Sequence, residues 1–264
     1  MIGRIEWKVN RGEEAAMAGS FEDAVQRWGV LVGSPNTTVE IEFPRMCPSD
    51  VTLHYVRMPT DGNIADNDLF EGVVQRTTAG IPAAIDSIMT AEPDHLVLGF
   101  GSPGFFAGFD GEQALIDSYV ERAGGVGITI PSQSCRRAFE VLEVKRLAVM
   151  GSYQPAGARR VREYFEAAGY DVVKEGFQGH GSGTEAARMS RHELARALYE
   201  MDGPDVDVIL QLGVNMPAVE PADAVEQVIG KPVLSVNAVT FWNALRSRGI
   251  PTKPTGAGTL LRDH

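Results

Sequence analysis

The chain has 264 residues, 44% of them apolar and 22% charged, the composition of an ordinary globular protein long enough for one large α/β unit or two domains. Its formal net charge of -11 argues against a nucleic-acid partner, which would want a basic face, but leaves room for an anionic substrate in a local pocket. The two cysteines, Cys47 and Cys135, form no CxxC pair and no Cys/His cluster, so neither a disulfide framework nor a metal site is expected. No run reaches the apolar length needed to span a bilayer, and the first twenty residues lack the apolar core of a signal peptide. A cytoplasmic protein is the expectation.

Residues 1–25 read as an irregular lead-in. Short apolar runs then alternate with stretches of helical period. Strands are expected at Trp28–Val32, Val51–Val56, Leu96–Phe100, Val126–Ile130, Arg146–Met150, Tyr170–Lys174, Val206–Leu212 and Pro232–Val236. The clearest helix is "QPAGARRVREYFEAAGY", where Val161, Tyr164, Phe165 and Ala168 share one face and a glycine follows as a stop. Such alternation predicts βαβ units on parallel sheets. There is also an internal echo. "GVLVGSPNTT" pairs with "RLAVMGSYQPAG", and "LVLGFGSPGFF" with "VILQLGVNMPA", at similar separations along the chain. Two similar α/β halves placed face to face would explain it.

In open parallel sheets ligands bind beyond the carboxyl ends of the strands. A glycine-rich turn there admits close backbone approach, and the helix that follows offers free N–H groups and a favourable dipole to an anion. Four turns are of this kind: Ser34-Pro35-Asn36-Thr37-Thr38, Gly101-Ser102-Pro103-Gly104, Gly151-Ser152-Tyr153 and Gly213-Val214-Asn215. Hydroxyls, amides and a phenol suit a small carboxylate. No GxGxxG and no GxxxxGK[ST] is present, so a nucleotide is not expected.

The stretches "SPNTTVEIEF", "HYVRMP", "GFGSPGFFAG", "ITIPSQ", "VKRLAVMGSYQPAGARRVREYFEAAGYDVV", "DVDVILQLGVNMPAV" and "GKPVLSVNAVTFWNALR" resemble, in order, the maleate isomerase / arylmalonate decarboxylase branch of the aspartate/glutamate racemase superfamily. The resemblance implies two pseudosymmetric α/β halves, the first from 26–124 plus 235–264 and the second from 125–234, with one cleft between them. It implies cofactor-independent isomerase or lyase chemistry beside a carboxylate, and a homo-oligomer is compatible with it. By the same resemblance Asn36 and Asn237 match substrate-binding asparagines, Ser102 a hydroxyl in the first cysteine loop, and Tyr153 a tyrosine that binds a substrate carboxylate. Thr37, Gly101, Pro103, Ser152, Gly213, Val214 and Asn215 complete the expected binding set.

The departures are as informative. The two cysteine positions of the family fall on Phe100 and Gly213, neither of which can ionise, while Cys47 and Cys135 read as packing residues. An acid or base must then come from elsewhere. His180, in "FQGHGSG", is the leading candidate, with Tyr153 and Ser102 beside it. His54, His95 and His192 read as structural or solvated, Arg57 as a surface residue that could face an anion, and Phe241 and Trp242 as core. Isomerisation, decarboxylation or addition of water is expected without a thiol. The alternatives are a hydrolase or hydratase using water activated by His180, and a non-catalytic carboxylate-binding protein.

Overall fold

The computed structural model describes residues 25–60, 67–179, 182 and 184–264. His180 and nearly all of the expected lead-in lie outside the described residues. All eight expected strands form, in two four-stranded parallel sheets. The first sheet runs β2(Val51–Met58), β1(Gln26–Gly33), β3(His95–Gly99), β4(Ile128–Thr129). The second runs β6(Asp171–Phe177), β5(Arg146–Gly151), β7(Val208–Leu212), β8(Val233–Ser235). The two orders are the same permutation, which makes β1 the counterpart of β5 and β3 that of β7, as the internal echo pairs them.

One boundary differs from expectation. A second half starting at residue 125 would include the strand near residue 128, but Leu96 and Val97 of β3 pair with Ile128 and Thr129. The first sheet therefore keeps β4, and the crossing to the second sheet comes later. The Gly124-Gly125 turn, with both residues at positive φ, brings the chain back beside β3 instead of away from it.

The central strands β1, β3, β5 and β7 are almost continuously apolar and buried because helices cover both faces. The helices are α1(Val39–Met46), α2(Asn67–Ala79), α3(Ile81–Ile88), α4(Ser102–Arg122), α5(Pro131–Val141), α6(Pro155–Ala167), α7(Arg191–Glu200), α8(Val219–Ile229), α9(Val236–Ser247) and α10(Thr259–Asp263). Among the described residues no helix is long and apolar enough to cross a membrane. One apolar core takes residues from both sheets, including Val30, Val97, Val149 and Leu210, so the halves do not pack as independent bodies. Across the seam α4 meets α6, where Phe105 stands edge-on to Tyr164 and Phe165. α9 packs on α5 and α1.

A buried acid pins this seam. Glu112 of α4, 1% exposed, accepts from Ser132 Oγ at 2.5 Å and Tyr164 Oη at 2.7 Å, and pairs with Arg136. Every partner is left wanting an acceptor if the carboxylate goes. Glu112→Ala should therefore lower unfolding stability by about 3 kcal/mol, toward the lower end of what breaking a buried pair costs, since Arg136 keeps some access to water. Urea denaturation of both proteins at neutral pH measures it.

Candidate functional site

In each sheet the strand order reverses between the two central strands, the place where open α/β sheets bind ligands. Because the sheets face each other, the turns after β1, β3, β5 and β7 converge. They enclose a cavity of about 120 Å³ lined by Pro35, Asn36, Phe100, Gly101, Ser102, Ser152, Tyr153, Gly213, Val214 and Asn215, with side chains of α2 over it. All four turns singled out in the sequence meet here. Of the expected binding set, Thr37, Pro103 and Asn237 do not line the cavity.

Tyr153 is the central group. Its ring stacks on Phe177, with centroids 6.2 Å apart, and stands edge-on to Phe70 at 6.1 Å. The phenol hydrogen-bonds with Ser102, which opens α4. Gly101 makes this possible: a Cβ there would lie 2.9 Å from Tyr153 Oη. Gly99, which ends β3, has a different cause, since a Cβ there would lie 2.8 Å from Val32 Cγ1 of the neighbouring strand. Burial pushes the Tyr153 phenol up to about 12, the Ser102 hydrogen bond opposing, so it is an O–H donor throughout the neutral range.

The four helix starts are not equivalent. Asn36 Oδ1 accepts from Thr38 N and Val39 N, both at 3.0 Å, at the head of α1. Asn215 Oδ1, from the other half, accepts from Thr37 N at 2.9 Å and Thr38 N at 3.2 Å, and Asn215 Nδ2 donates to Pro35 O at 3.1 Å. Asn36 Nδ2 donates back to Val214 O at 3.3 Å. The head of α8 is also occupied, Val219 N donating to Glu42 Oε1 at 3.0 Å. None of the four N-cap residues, Thr38, Gly101, Gln154 and Ala218, caps its own helix with its side chain, and the heads of α1 and α8 are held instead by Asn36, Asn215 and Glu42. The amides expected to bind substrate are thus committed to the seam: Asn36 and Asn215 cross-link the halves, and Asn237 donates to Glu42 Oε2 and Val214 O.

Other candidates resolve in the same way. Arg57 does not face the cavity; it donates to Ser34 O and Asn36 O, both at 2.9 Å, and pairs with Glu40, bracing the first turn. His95 lies on Thr129 Oγ1 at 2.8 Å, and burial, with Arg248 nearby, pulls it down to about 4, so it stays neutral in the fold. His54 contacts Thr52 Oγ1, and His192 sits exposed on α7. Phe241 and Trp242 are core.

What the sequence reading missed is the wall formed by α2. Phe70, Val73, Val74 and Thr77, with Thr60 before them, line the cavity, and α2 also packs across the seam on α6. Helical spacing among Phe70, Val73, Val74 and Thr77 was the available signal. The wall is largely apolar, and among the described residues no Lys, Arg, His, Asp or Glu lines it.

Comparison with known proteins now fits the geometry. The family model described as arylmalonate decarboxylase matches residues 65–261. The chain belongs to that family. Relatives include maleate isomerase from Nocardia farcinica, 25% identical over 248 residues with 90% of this chain and 96% of that one covered. Maleate isomerase from Geobacillus stearothermophilus is 24% identical, with 89% and 96% covered. The fold agrees with the Nocardia farcinica maleate cis-trans isomerase structure at a TM-score of 0.82, 22% identity, covering 90% and 98%. Unliganded arylmalonate decarboxylase superposes at 0.72 with 18% identity, covering 91% and 100%. A cysteine-to-serine mutant of the Nocardia enzyme has been seen with a covalently bound succinylcysteine intermediate.

In this family member neither cysteine lines the cavity. Cys135 is buried in the core, and burial, with Glu112 nearby, pushes its thiol far up. Cys47 follows α1, points to Val51 O, and is pushed up to about 11 by burial and by Asp50. Thiolate is the reactive form, so at mildly alkaline pH Cys47 should react with an aromatic disulfide about a hundredfold more slowly in the native than in the urea-unfolded protein. Cys135 should not react until the chain unfolds. Counting released thiolate against time checks both.

Proposed function

We propose that this protein is a cofactor-independent enzyme of the isomerase or lyase type that forms and reprotonates an enolate-like centre beside a carboxylate, without a thiol. The observation that carries the reading is the Ser102–Tyr153 donor pair at the uncapped start of α4, in a cavity that holds neither cysteine. A substrate carboxylate accepts from Ser102 Oγ and from turn N–H groups. As a bond to the adjacent carbon breaks, its electron pair spreads onto the carboxylate oxygens, and fixed donors there stabilise the developing charge more than the ground state. Tyr153, still protonated, returns a proton to carbon and is itself reprotonated from solvent.

The apolar wall of Phe70, Val73, Val74 and Phe100 supports a substrate carrying a compact apolar substituent. If a second carboxylate faces that wall it is poorly solvated there, and leaving as neutral CO₂ relieves the cost. Decarboxylation of a substituted malonate therefore fits better than isomerisation by thiol addition. A hydrolytic or hydratase reading with His180 as base draws on Ser182, two positions along the chain, which lines the cavity. A binding protein without turnover draws on the scarcity of ionisable groups in the described wall.

A thermal-shift screen of mono- and dicarboxylates, with product analysis of every stabilising compound, separates the three. Phenyl- or alkylmalonates should stabilise the protein and yield CO₂ and the monocarboxylate. Ser102→Ala and Tyr153→Phe should each weaken binding by roughly 1–3 kcal/mol, the cost of an unpaired buried partner. Stabilisation without product would support the binder. Water-derived oxygen in the product, lost in His180→Asn, would support the hydrolytic reading.

A further inference from the structure

Glu42 has no part in the chemistry above, yet it is tied to the cavity. It lies on the buried face of α1 with Val39, Phe43 and Met46 and is 6% exposed. Its Oε1 accepts from Val219 N at 3.0 Å, at the head of α8, and its Oε2 from Asn237 Nδ2 at 2.6 Å, in the first turn of α9. The same Asn237 Nδ2 donates to Val214 O at 3.0 Å. Val214 stands in the cavity wall between Gly213 and Asn215. Asn237 Oδ1, by contrast, is buried without a hydrogen-bond partner.

An ionised carboxylate only accepts. It therefore selects the amide orientation that turns the NH₂ toward Glu42, and that orientation also delivers a donor to Val214 O. A protonated carboxyl places an O–H where one of those donors points. The amide relieves the conflict by presenting Oδ1, its unpartnered oxygen, and Val214 O then keeps only Asn36 Nδ2 as donor. We propose that Glu42 is a positioning residue of the cavity: its proton, read by the Asn237 amide, sets how firmly the Gly213–Asn215 turn is held.

The surroundings put this exchange near neutrality. Burial raises Glu42 to about 7, against the lowering pull of Asn237, Val219 N and Arg45, while Glu220 adds to the rise. Arg45 comes from its own helix; Glu220 comes from α8 and is itself paired with Arg45 and with Arg191 of α7. From α9 comes the neutral Asn237, and the nearby 255–257 segment is uncharged. The inference takes from the proposed function only the location of the site, and its test needs no substrate.

The test follows the ¹³C,¹⁵N-labelled, ligand-free full chain by NMR across neutrality. The Asn237 side-chain NH₂ and the Val214–Met216 backbone amides should shift together, with a midpoint near 7. Below it the protection of the Met216 amide, which donates to Gly213 O, should fall about fivefold after correction for intrinsic exchange, the loss of roughly one hydrogen bond. Glu42→Gln should abolish the transition and hold the turn in its acid form. In Asn237→Ser the Glu42 carboxyl carbon should still titrate while the turn no longer follows it. Asn237 signals that do not move in the wild type, or the same transition surviving in Glu42→Gln, would overturn the proposal. A purely structural Glu42 would alter stability and leave the Asn237 signals flat.

Discussion

Much of the molecule hangs on two asparagines facing each other across the seam. Asn36, from the first sheet, and Asn215, from the second, exchange hydrogen bonds with each other's turns and with the head of α1. Each satisfies backbone groups that a parallel sheet leaves open at its carboxyl end. Each such bond is worth only about 1 kcal/mol net, but leaving these largely buried groups unpaired would cost more. The seam is therefore cohesive in its polar as well as its apolar parts. Turns that belong to different sheets hold a fixed distance, and the cavity between them is a property of the whole chain rather than of either half.

That commitment makes the site asymmetric. A pseudosymmetric fold offers four helix starts, but two are used to join the halves. The start of α4 is the one where Ser102 meets the Tyr153 phenol beside the cavity. Polar recognition is thereby confined to one side, and α2 supplies an apolar opposite wall. A cavity with donors on one side and hydrocarbon on the other orients a carboxylate by exclusion: the charged end has one place to go.

The sheets, their shared order and the four turns were legible because apolar runs, glycine stops and the internal echo are local signals. Ser102 and Tyr153 were legible for the same reason, sitting immediately after strand ends. The amides were only half legible: Asn36 and Asn215 line the cavity as expected, while Asn237 does not. Asn36 and Asn237 look like ligand groups in a line of sequence, and only partners some 180 and 20 to 200 residues away show where their hydrogen bonds go. Glu42 was missed although a signal existed. Val39, Phe43 and Met46 form an apolar stripe, and the glutamate falls on it rather than on the solvent face. A charge on a core stripe asks for a buried partner. The wall of α2 was missed because its apolar spacing reads as that of any core-facing helix, although β2 ends at Met58 shortly before it.

Gly213 shows how closely the second turn depends on the absence of a side chain. Its φ is 122°, a backbone region that residues with a Cβ rarely adopt. A Cβ there would also lie 2.6 Å from Ser152 Oγ and 3.1 Å from Met216 Sδ. Conformation and crowding each disfavour a side chain here. The space beside the backbone belongs to the Ser152 hydroxyl, and the turn is held by the amides that donate to Val214 O. Across the cavity Tyr153 Oη approaches the Gly101 backbone as closely as a missing side chain allows. Both central turns thus use glycine to bring hydroxyl groups against the backbone. Among the described residues the hydroxyls at these turns can donate hydrogen bonds, and the Tyr153 phenol rests protonated at neutral pH.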